Sequence, residues 1–415
     1  MKIKGVRKLT GEIKVPGDKS ISHRAIIFGA ISNGETVVDN ILLSDDTLRT
    51  IQCFKEMGIE FEIDKSKNRV KIFGKGLNGL REPKKPLYCG NSGTTMRLLA
   101  GLLVGQNFKS TLVGDSSLSK RPMDRIIIPL TKMGANIRGV ENKYPPLEIE
   151  PYERLNGIVY EMPVASAQVK SAILLASIYS SSKSRVIEKT VTRDHTERML
   201  EYFRKNNFTG SRLYIPGDIS SAAFFIVAAT IIKGSKIVLK DVGVNETRTG
   251  IIDVLREMGA SIEIRNVRNV NNEPLGDIYV SYAPLKGIKI DGNIMGRLID
   301  EVPILAVAAA FAEGTTEIRG ADELKFKESN RIESIASELR KMSVDITPLS
   351  NGLIINGGNK LTPAKVYSHK DHRIAMALSI AALAIDGESE IIDSSWVNIS
   401  YPDFYDIIGS FNNNF

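Results

Sequence analysis

Residues 220–242 read SSAAFFIVAATIIKG followed by SKIVLKDV, and this stretch decides the fold. Its first part is apolar on every side over about a dozen residues, too long and Ala-rich for a strand and too short to span a membrane, so it is a buried helix. Its second part mixes β-branched and polar residues in the manner of a strand. Lys233-Gly234 separates the two with a helix-stop signal. The same pattern of small or polar start, apolar helix and strand occurs six times. The other copies begin at Ser20 (SISHRAIIFGAIS, then ETVVDNI), Ser92 (SGTTMRLLAGLLVG, then KSTLVG), Ser166 (SAQVKSAILLASIY, then SRVIE), Asp300 (DEVPILAVAAAFAEG, then TTEIRG) and Asp371 (DHRIAMALSIAALAIDG, then SEIIDS).

Between copies lies a second, amphipathic helix that stops at Met-Gly or a close variant before another strand: FKEMG from Phe54, LTKMG from Leu130, LREMG from Leu255 and LRKMS from Leu339. Each unit of about 55–80 residues therefore reads strand, helix, strand, helix, strand, an α/β module too small to cover both helix faces alone. Six modules are expected to pack in two groups of three, with the apolar helices inside and the amphipathic ones nearer solvent.

Composition agrees. The 415 residues are 42% apolar and 25% charged, the profile of a globular enzyme too long for one core. Cys53 and Cys89 are the only cysteines, which excludes a disulfide scaffold and a structural zinc site and fits a reducing compartment. The alternating start MKIKGVRKLTGEIKV reads as a strand rather than a signal peptide, so the expected location is cytoplasmic, away from membrane. Net charge is +7, from 55 Lys and Arg against 48 Asp and Glu, and the excess is scattered. Scattered cations are weak evidence for nucleic acid; they read first as a generally basic surface, and the sharper reading is an anionic ligand held in a cleft by several of them.

Every apolar helix starts at Ser or Asp, both good N-cap residues. The same starts carry the densest cations, and a helix N-terminus offers unpaired N–H groups to an anion. Lys19, Ser20 and Arg24 fall within a turn and a half of one another in KVPGDKSISHR (14–24). The Gly-rich GNSGTTMR (90–97) repeats that logic and ends in Arg97, with Gly93 open to close approach. Neither fits a P-loop. Lys327 and Arg331, four apart in KESNR, are expected on one helical face, and Asp371-His-Arg373 heads an apolar helix, where a salt-bridged cap is the plainer reading.

These motifs, with KRPMDR (120–125), SAQVKSA (166–172), TRDHTE (192–197), GDISSAAFF, LIDEVP (298–303) and DHRIA, run through the whole chain in an order that resembles the enolpyruvyl transferases, and among them the 5-enolpyruvylshikimate-3-phosphate synthases. The resemblance implies an α/β fold of two similar domains, each of three βαβαββ units about a pseudo-threefold axis, an inside-out α/β barrel. It implies an inserted domain over 18–217 (copies 1–3), a discontinuous domain of 1–17 plus 218–415 (copies 4–6), and an active site in the cleft between them. The implied reaction moves the enolpyruvyl group of phosphoenolpyruvate onto the 5-hydroxyl of shikimate 3-phosphate by addition and elimination through a tetrahedral intermediate, in aromatic amino acid biosynthesis. No cofactor or metal is implied, and the partners are the two small-molecule substrates, with no nucleic acid or membrane and a monomeric enzyme.

Carried over residue by residue, the resemblance places shikimate 3-phosphate on Lys19, Ser20, Arg24, Ser166, Gln168, Arg193, Asp300 and Lys327. It places phosphoenolpyruvate on Lys19, Asn91, Gly93, Arg121, Gln168, Arg331 and Arg373. Asp300 is the base for the hydroxyl, and Lys19 and Glu328 are candidates for the acid that protonates the methylene carbon. The relative acting on UDP-N-acetylglucosamine carries a reactive Cys ahead of Arg-Pro, whereas the corresponding loop here, GDSSLSKRPMDR, has none. Cys89 reads as a buried apolar residue. An RNA-binding repeat protein would need aromatic platforms beside its cations, and Trp396 with scattered Tyr supplies none. One departure stands out: VNISYPDF (397–404) has Ile399 where the family commonly carries a Lys that contacts phosphoenolpyruvate.

Overall fold

A computed structural model describes residues 1–412. The chain forms two compact units, one of Met1–Pro16, Pro216–Asn269 and the residues from Pro274 onward, the other of Gly17–Ile215 with Val270–Glu273. The chain passes from one unit to the other inside two copies of one motif, Val15-Pro-Gly-Asp18 and Ile215-Pro-Gly-Asp218. Each Asp caps the apolar helix that follows: Asp18 accepts from the Ile21 N–H and Asp218 from the Ser220 N–H. Val270–Glu273, a short turn that sequence leaves inside copy 4, groups with Gly17–Ile215 because Glu273 lies 2.7 Å from His195 and the Asn272 carbonyl accepts from Arg198 at 2.9 Å.

The six apolar helices are α1 (Lys19–Ala30), α2 (Gly93–Leu103), α3 (Ala167–Ala176), α4 (Ile219–Ile231), α5 (Val302–Ala310) and α6 (His372–Leu383). Every residue of α5 and α6 is buried, as hydrophobicity on all sides requires. In each unit the three helices form the interior and the sheets cover them, the inside-out α/β arrangement.

Copies 2 and 5 show the complete repeat. In copy 2, Leu87–Tyr88 pairs parallel with Ser110–Val113, and Tyr144–Glu150 pairs antiparallel with both Ser110–Val113 and Asn136–Val140. Copies 1 and 4 have the same four-stranded sheet, but its first strand comes from elsewhere in the chain. Arg212–Tyr214 completes copy 1 and Thr10–Ile13 completes copy 4, each by parallel pairing. Copies 3 and 6 are shorter than the expected βαβαββ. Val159–Glu161 with Arg185–Ile187 is a two-stranded sheet, and Lys365–Tyr367 with Glu388–Ile392 gains only Lys2–Lys4. Gly58, Gly134, Gly259 and Ser343 all take positive φ after their helices, turning the chain into the closing hairpin, whereas in copy 3 Asn207, also at positive φ after the helix His195–Lys205, leads to Arg212–Tyr214, the strand given to copy 1.

The starts predicted for the apolar helices need correction. Ser92, Ser166 and Asp371 are caps, but Ser20 and Ser220 lie inside the first turn, behind Asp18 and Asp218. Asp300 caps nothing: it lies in a 3₁₀ turn, Ile299–Glu301, ahead of α5. Lys327 and Arg331 do not share a helical face, because Lys327 ends the 3₁₀ segment Asp322–Phe326 in an extended conformation and Arg331 opens the helix Arg331–Lys341.

Helices α2 and α3 approach so closely at Gly101 that a Cβ there would lie 2.5 Å from the Ala172 Cα and 2.4 Å from its carbonyl oxygen. Backbone cannot yield as a side chain can. Gly101→Ala should therefore cost about 2–3 kcal/mol of stability, the upper part of the usual overpacking range, despite the better helix propensity of Ala. Denaturant melts of the two proteins check this, and equal midpoints would show that the helix pair can spread.

Candidate functional site

In the unit built on α1, α2 and α3, the helix N-termini are tied together by polar side chains. Arg24, 3% exposed, donates from Nε to Thr196 Oγ1 (2.6 Å), from Nη2 to Ser171 Oγ on α3 (2.7 Å) and from Nη1 to the Ser20 carbonyl (2.8 Å). Arg193 reaches Ser20 Oγ at 3.4 Å. Arg97 on α2 donates to Gln168 Oε1 on α3 at 2.6 Å, and Gln168 Nε2 donates to Thr94 Oγ1 at 3.0 Å. Lys19 pairs with Asp46 at 3.1 Å.

Gly93 opens α2 between two guanidinium groups. A Cβ at this position would lie 2.8 Å from Arg97 Nη1 and 3.6 Å from Arg121 Nη1. Arg121 donates to Asn91 Oδ1, and Asn91 Nδ2 donates to Asp115 at 2.9 Å. A helix N-terminus flanked by two guanidiniums, without a side chain at its first residue, offers N–H donors and positive charge to an anion. Ser166 caps α3, its oxygen 3.4 Å from the Val169 N–H.

The unit built on α4, α5 and α6 presents carboxylates. Asp300 accepts from Lys327 Nζ at 3.1 Å and from Arg331 Nη1 at 3.3 Å. Arg331, 1% exposed, also grips Asp371 through Nε (2.8 Å) and Nη2 (3.3 Å) and donates to Glu328 at 2.5 Å. Burial opposes the Arg331 charge, but Asp371, Glu328 and Asp300 together outweigh it and raise its pKa. Asp371 both caps α6, accepting from the Arg373 N–H at 2.9 Å, and holds Arg331. Arg373 is 7% exposed and lies 3.7 Å from Glu301, which accepts from the Ser220 hydroxyl. Arg248 in turn donates to Ser220 at 2.8 Å.

The structure thus sorts the expected residues by unit. Lys19, Ser20, Arg24, Asn91, Gly93, Arg121, Ser166, Gln168 and Arg193 belong to the first, and Asp300, Lys327, Glu328, Arg331 and Arg373 to the second. Sequence reasoning missed Asp46, Thr196, Glu301 and Arg248. Asp46 had a signal in the consecutive acids Asp45-Asp46 at a helix start, and Glu301 stands beside Asp300, whereas Thr196 and Arg248 reach their partners only through tertiary folding. Ile399 ends the 3₁₀ segment Ser394–Ile399 and is half-buried. Cys53 and Cys89 are buried free thiols, and the Cys53 contact with burial pushes the Cys89 thiol up, which makes it a poor nucleophile. Among the described residues no cluster of His, Cys, Asp and Glu is arranged for a metal ion, and no helix is long and apolar enough to cross a membrane.

A family model described as EPSP synthase (3-phosphoshikimate 1-carboxyvinyltransferase) matches residues 3–408. A 3-phosphoshikimate 1-carboxyvinyltransferase of Bacillus cytotoxicus is 50% identical over 423 residues, covering 98% of this chain and 99% of its own. One from Thermoanaerobacter sp. strain X514 is 49% identical over 419 residues, 98% of each chain. Among solved structures, an EPSP synthase from Acinetobacter baumannii superposes with a TM-score of 0.88 at 44% identity, over 98% of this chain and 97% of that one. The enolpyruvyl transferase NikO from Streptomyces tendae has a TM-score of 0.79 at 15% identity over 99% and 97%, a likeness of fold alone.

His23 lies between Lys19 and Arg24 in sequence, fully shielded, with Nδ1 2.8 Å from Thr50 Oγ1. Burial, then the charges of Lys19 and Arg24, hold its pKa well below the ordinary histidine value, so the folded chain keeps the ring neutral. The unfolded chain takes up a proton there below about pH 6.5, so it binds more protons than the folded one and stability falls with falling pH, by up to about 1.4 kcal/mol per unit from this group. The melting temperature of the wild type should therefore drop more steeply from about pH 6.5 to 5 than that of His23→Asn. Equal slopes would remove His23 from the acid sensitivity.

Proposed function

The chain belongs to the EPSP synthase family, and on that premise we propose how its own residues divide the work. It transfers the enolpyruvyl group of phosphoenolpyruvate to the 5-hydroxyl of shikimate 3-phosphate and releases phosphate, a step of aromatic amino acid biosynthesis. The observation that carries the assignment of roles is Asp300, a carboxylate at the head of an apolar helix that does not cap the helix and is gripped by Lys327 and Arg331. Capping cannot account for it, and a base set among cations that also bind anions can.

Lys19, Ser20, Arg24, Ser166, Gln168 and Arg193 hold shikimate 3-phosphate, with Lys327 and Asp300 at its hydroxyl side. Arg24 is fixed in advance by its three hydrogen bonds, so little side-chain entropy is lost when it meets the phosphate. The Gly93 crib between Arg97 and Arg121 holds phosphoenolpyruvate, assisted by Lys19, Asn91, Gln168, Arg331 and Arg373. Paired N–H donors suit both the carboxylate and the phosphate.

In the addition step the 5-oxygen bonds to C2 of phosphoenolpyruvate while Asp300 takes the hydroxyl proton and C3 gains a proton. Lys19, an ammonium held by Asp46, supplies that proton. In the elimination step the C2–O bond to phosphate breaks and C3 loses a proton, which Glu328 takes, since Arg331 donates to it and keeps it an acceptor. Lys327 links binding to the base: when it turns to shikimate 3-phosphate, it leaves the Asp300 carboxylate that it holds at 3.1 Å. The surrounding guanidiniums stabilise the charge on the leaving phosphate. We place the enzyme in the cytoplasm as a monomer acting on these two small molecules and not on nucleic acid, in keeping with its scattered charge.

Phosphate release from phosphoenolpyruvate should require shikimate 3-phosphate, and Asp300→Asn should lower turnover by about two to four decades. The melting temperature should change little, because Arg331 keeps Asp371 and Glu328. Near-normal turnover in this variant would remove Asp300 as the base. Ile399→Lys restores a charge-assisted contact and should lower the Michaelis constant for phosphoenolpyruvate by about one to two decades, leaving that for shikimate 3-phosphate unchanged. The position is not fully buried, so the new Lys can reach water and folding should not suffer. An unimproved constant with a lower melting temperature would show instead that Ile399 fills an apolar gap.

A further inference from the structure

Arg373 is nearly buried, yet its guanidinium donates no hydrogen bond to the described residues, and the ion pair it makes, to Glu301 Oε1 at 3.7 Å, is too long for one. Glu301 is deeper still, 1% exposed. Its Oε1 accepts the Ser220 hydroxyl, and Ser220 in turn accepts from Arg248 at 2.8 Å, so this oxygen is fixed in place. Its other oxygen, Oε2, is shut off from solvent and has no hydrogen-bond partner among the described residues. A buried carboxylate with one satisfied and one empty oxygen, facing a guanidinium with unspent donors, is costly unless the two complete each other.

Glu301 follows directly on Asp300, and the two carboxylates serve different cations. Asp300 meets Lys327 and Arg331, while Glu301 meets Arg373 and, through Ser220, Arg248. A guanidinium is planar and presents its donors along separate edges. We propose that Glu301 is a positioning residue for Arg373: it holds one edge of the guanidinium so that another faces the phosphoenolpyruvate anion. Ser220 and Arg248 keep Glu301 from following Arg373 out of the helix head. The anion then closes the arrangement, with Arg373 bridging two carboxylates or a carboxylate and a phosphate, and Oε2 gains the hydrogen bond it lacks.

This inference rests on assigning Arg373 to phosphoenolpyruvate, and the experiment separates the two. Steady-state kinetics are measured for the full chain with each substrate varied in turn, for Arg373→Ala, Glu301→Ala, Glu301→Gln, Ser220→Ala and the double variant Glu301→Ala with Arg373→Ala. Glu301→Ala should raise the Michaelis constant for phosphoenolpyruvate about tenfold, the lower end of a charged hydrogen bond, with turnover and the constant for shikimate 3-phosphate within about twofold. Glu301→Gln keeps an oxygen for Ser220 and should raise it less, and Ser220→Ala should shift the same constant in the same direction. In the double variant the constant should match that of Arg373→Ala alone, since Glu301 acts through that side chain. If Glu301→Ala does not fold, Glu301→Gln and Ser220→Ala carry the test. An unchanged phosphoenolpyruvate constant, a parallel rise in both substrates' constants, or effects that multiply in the double variant would overturn the role of Glu301. An Arg373→Ala variant with a normal phosphoenolpyruvate constant would overturn the assignment of Arg373 itself.

Discussion

Helices that are apolar all round have one polar place, their ends, and the rest of this structure follows from burying three of them side by side in each unit. Because α4, α5 and α6 have buried flanks, polar side chains are admitted mainly at the first turn, where free N–H groups need partners anyway. The hydrogen bonds Arg24 to Ser171 and Arg97 to Gln168 join the first two turns of the helices in one unit, and Ser220 to Glu301 with the Glu301–Arg373 pair joins the helix heads in the other. The site is thus a consequence of how the core is built, and packing faults in the helices would be felt at the chemistry.

The units treat buried arginine in opposite ways. Arg24 has only hydroxyl and carbonyl partners, and burial lowers its pKa to about 10 even though Glu197 and Asp18 lie close enough to pull the other way. Arg331 is surrounded by Asp371, Glu328 and Asp300, which raise its pKa against burial. Arg24 is thus held by neutral hydrogen-bond acceptors with carboxylates at longer range, whereas Arg331 bonds directly to the carboxylates of Asp371, Glu328 and Asp300 and holds them in place.

Much of this was legible in the sequence, for physical reasons that also mark where legibility ends. All six apolar helices could be read because each carries an apolar run behind a Ser or Asp start, and the four Met-Gly or Met-Ser stops flag the copies that carry a closing hairpin. Strand exchange was not readable: Thr10–Ile13 and Arg212–Tyr214 are too short to show a period, and their pairing partners lie far along the chain. The helix starts were displaced because Asp and Ser stand two residues apart in GDKS and GDIS and either can cap. Asp300 shows the deeper limit. Its residue type fits a cap, and only the positions of Lys327 and Arg331, set by a 3₁₀ turn and a loop, reveal what it pairs with.

The repeated Pro-Gly-Asp also shows how one structural position acquires two uses. After the shared cap, one copy continues Lys19-Ser20 and the other Ile219-Ser220. Lys19 pairs with Asp46 and Ser20 with Arg193, so in that unit the first turn faces charged groups suited to an anion. At the equivalent turn Ile219 is buried in the core and Ser220 bonds inward to Glu301. An Asp caps both turns, though by different bonds, Asp18 accepting from the third residue on and Asp218 from the second, so the residues behind the cap can differ while the helix start is kept. Behind the Asp one turn continues Lys-Ser-Ile-Ser-His-Arg and the other Ile-Ser-Ser-Ala-Ala-Phe, so the first carries charge where the second is apolar, and its serine meets Arg193 whereas Ser220 lies between Glu301 and Arg248.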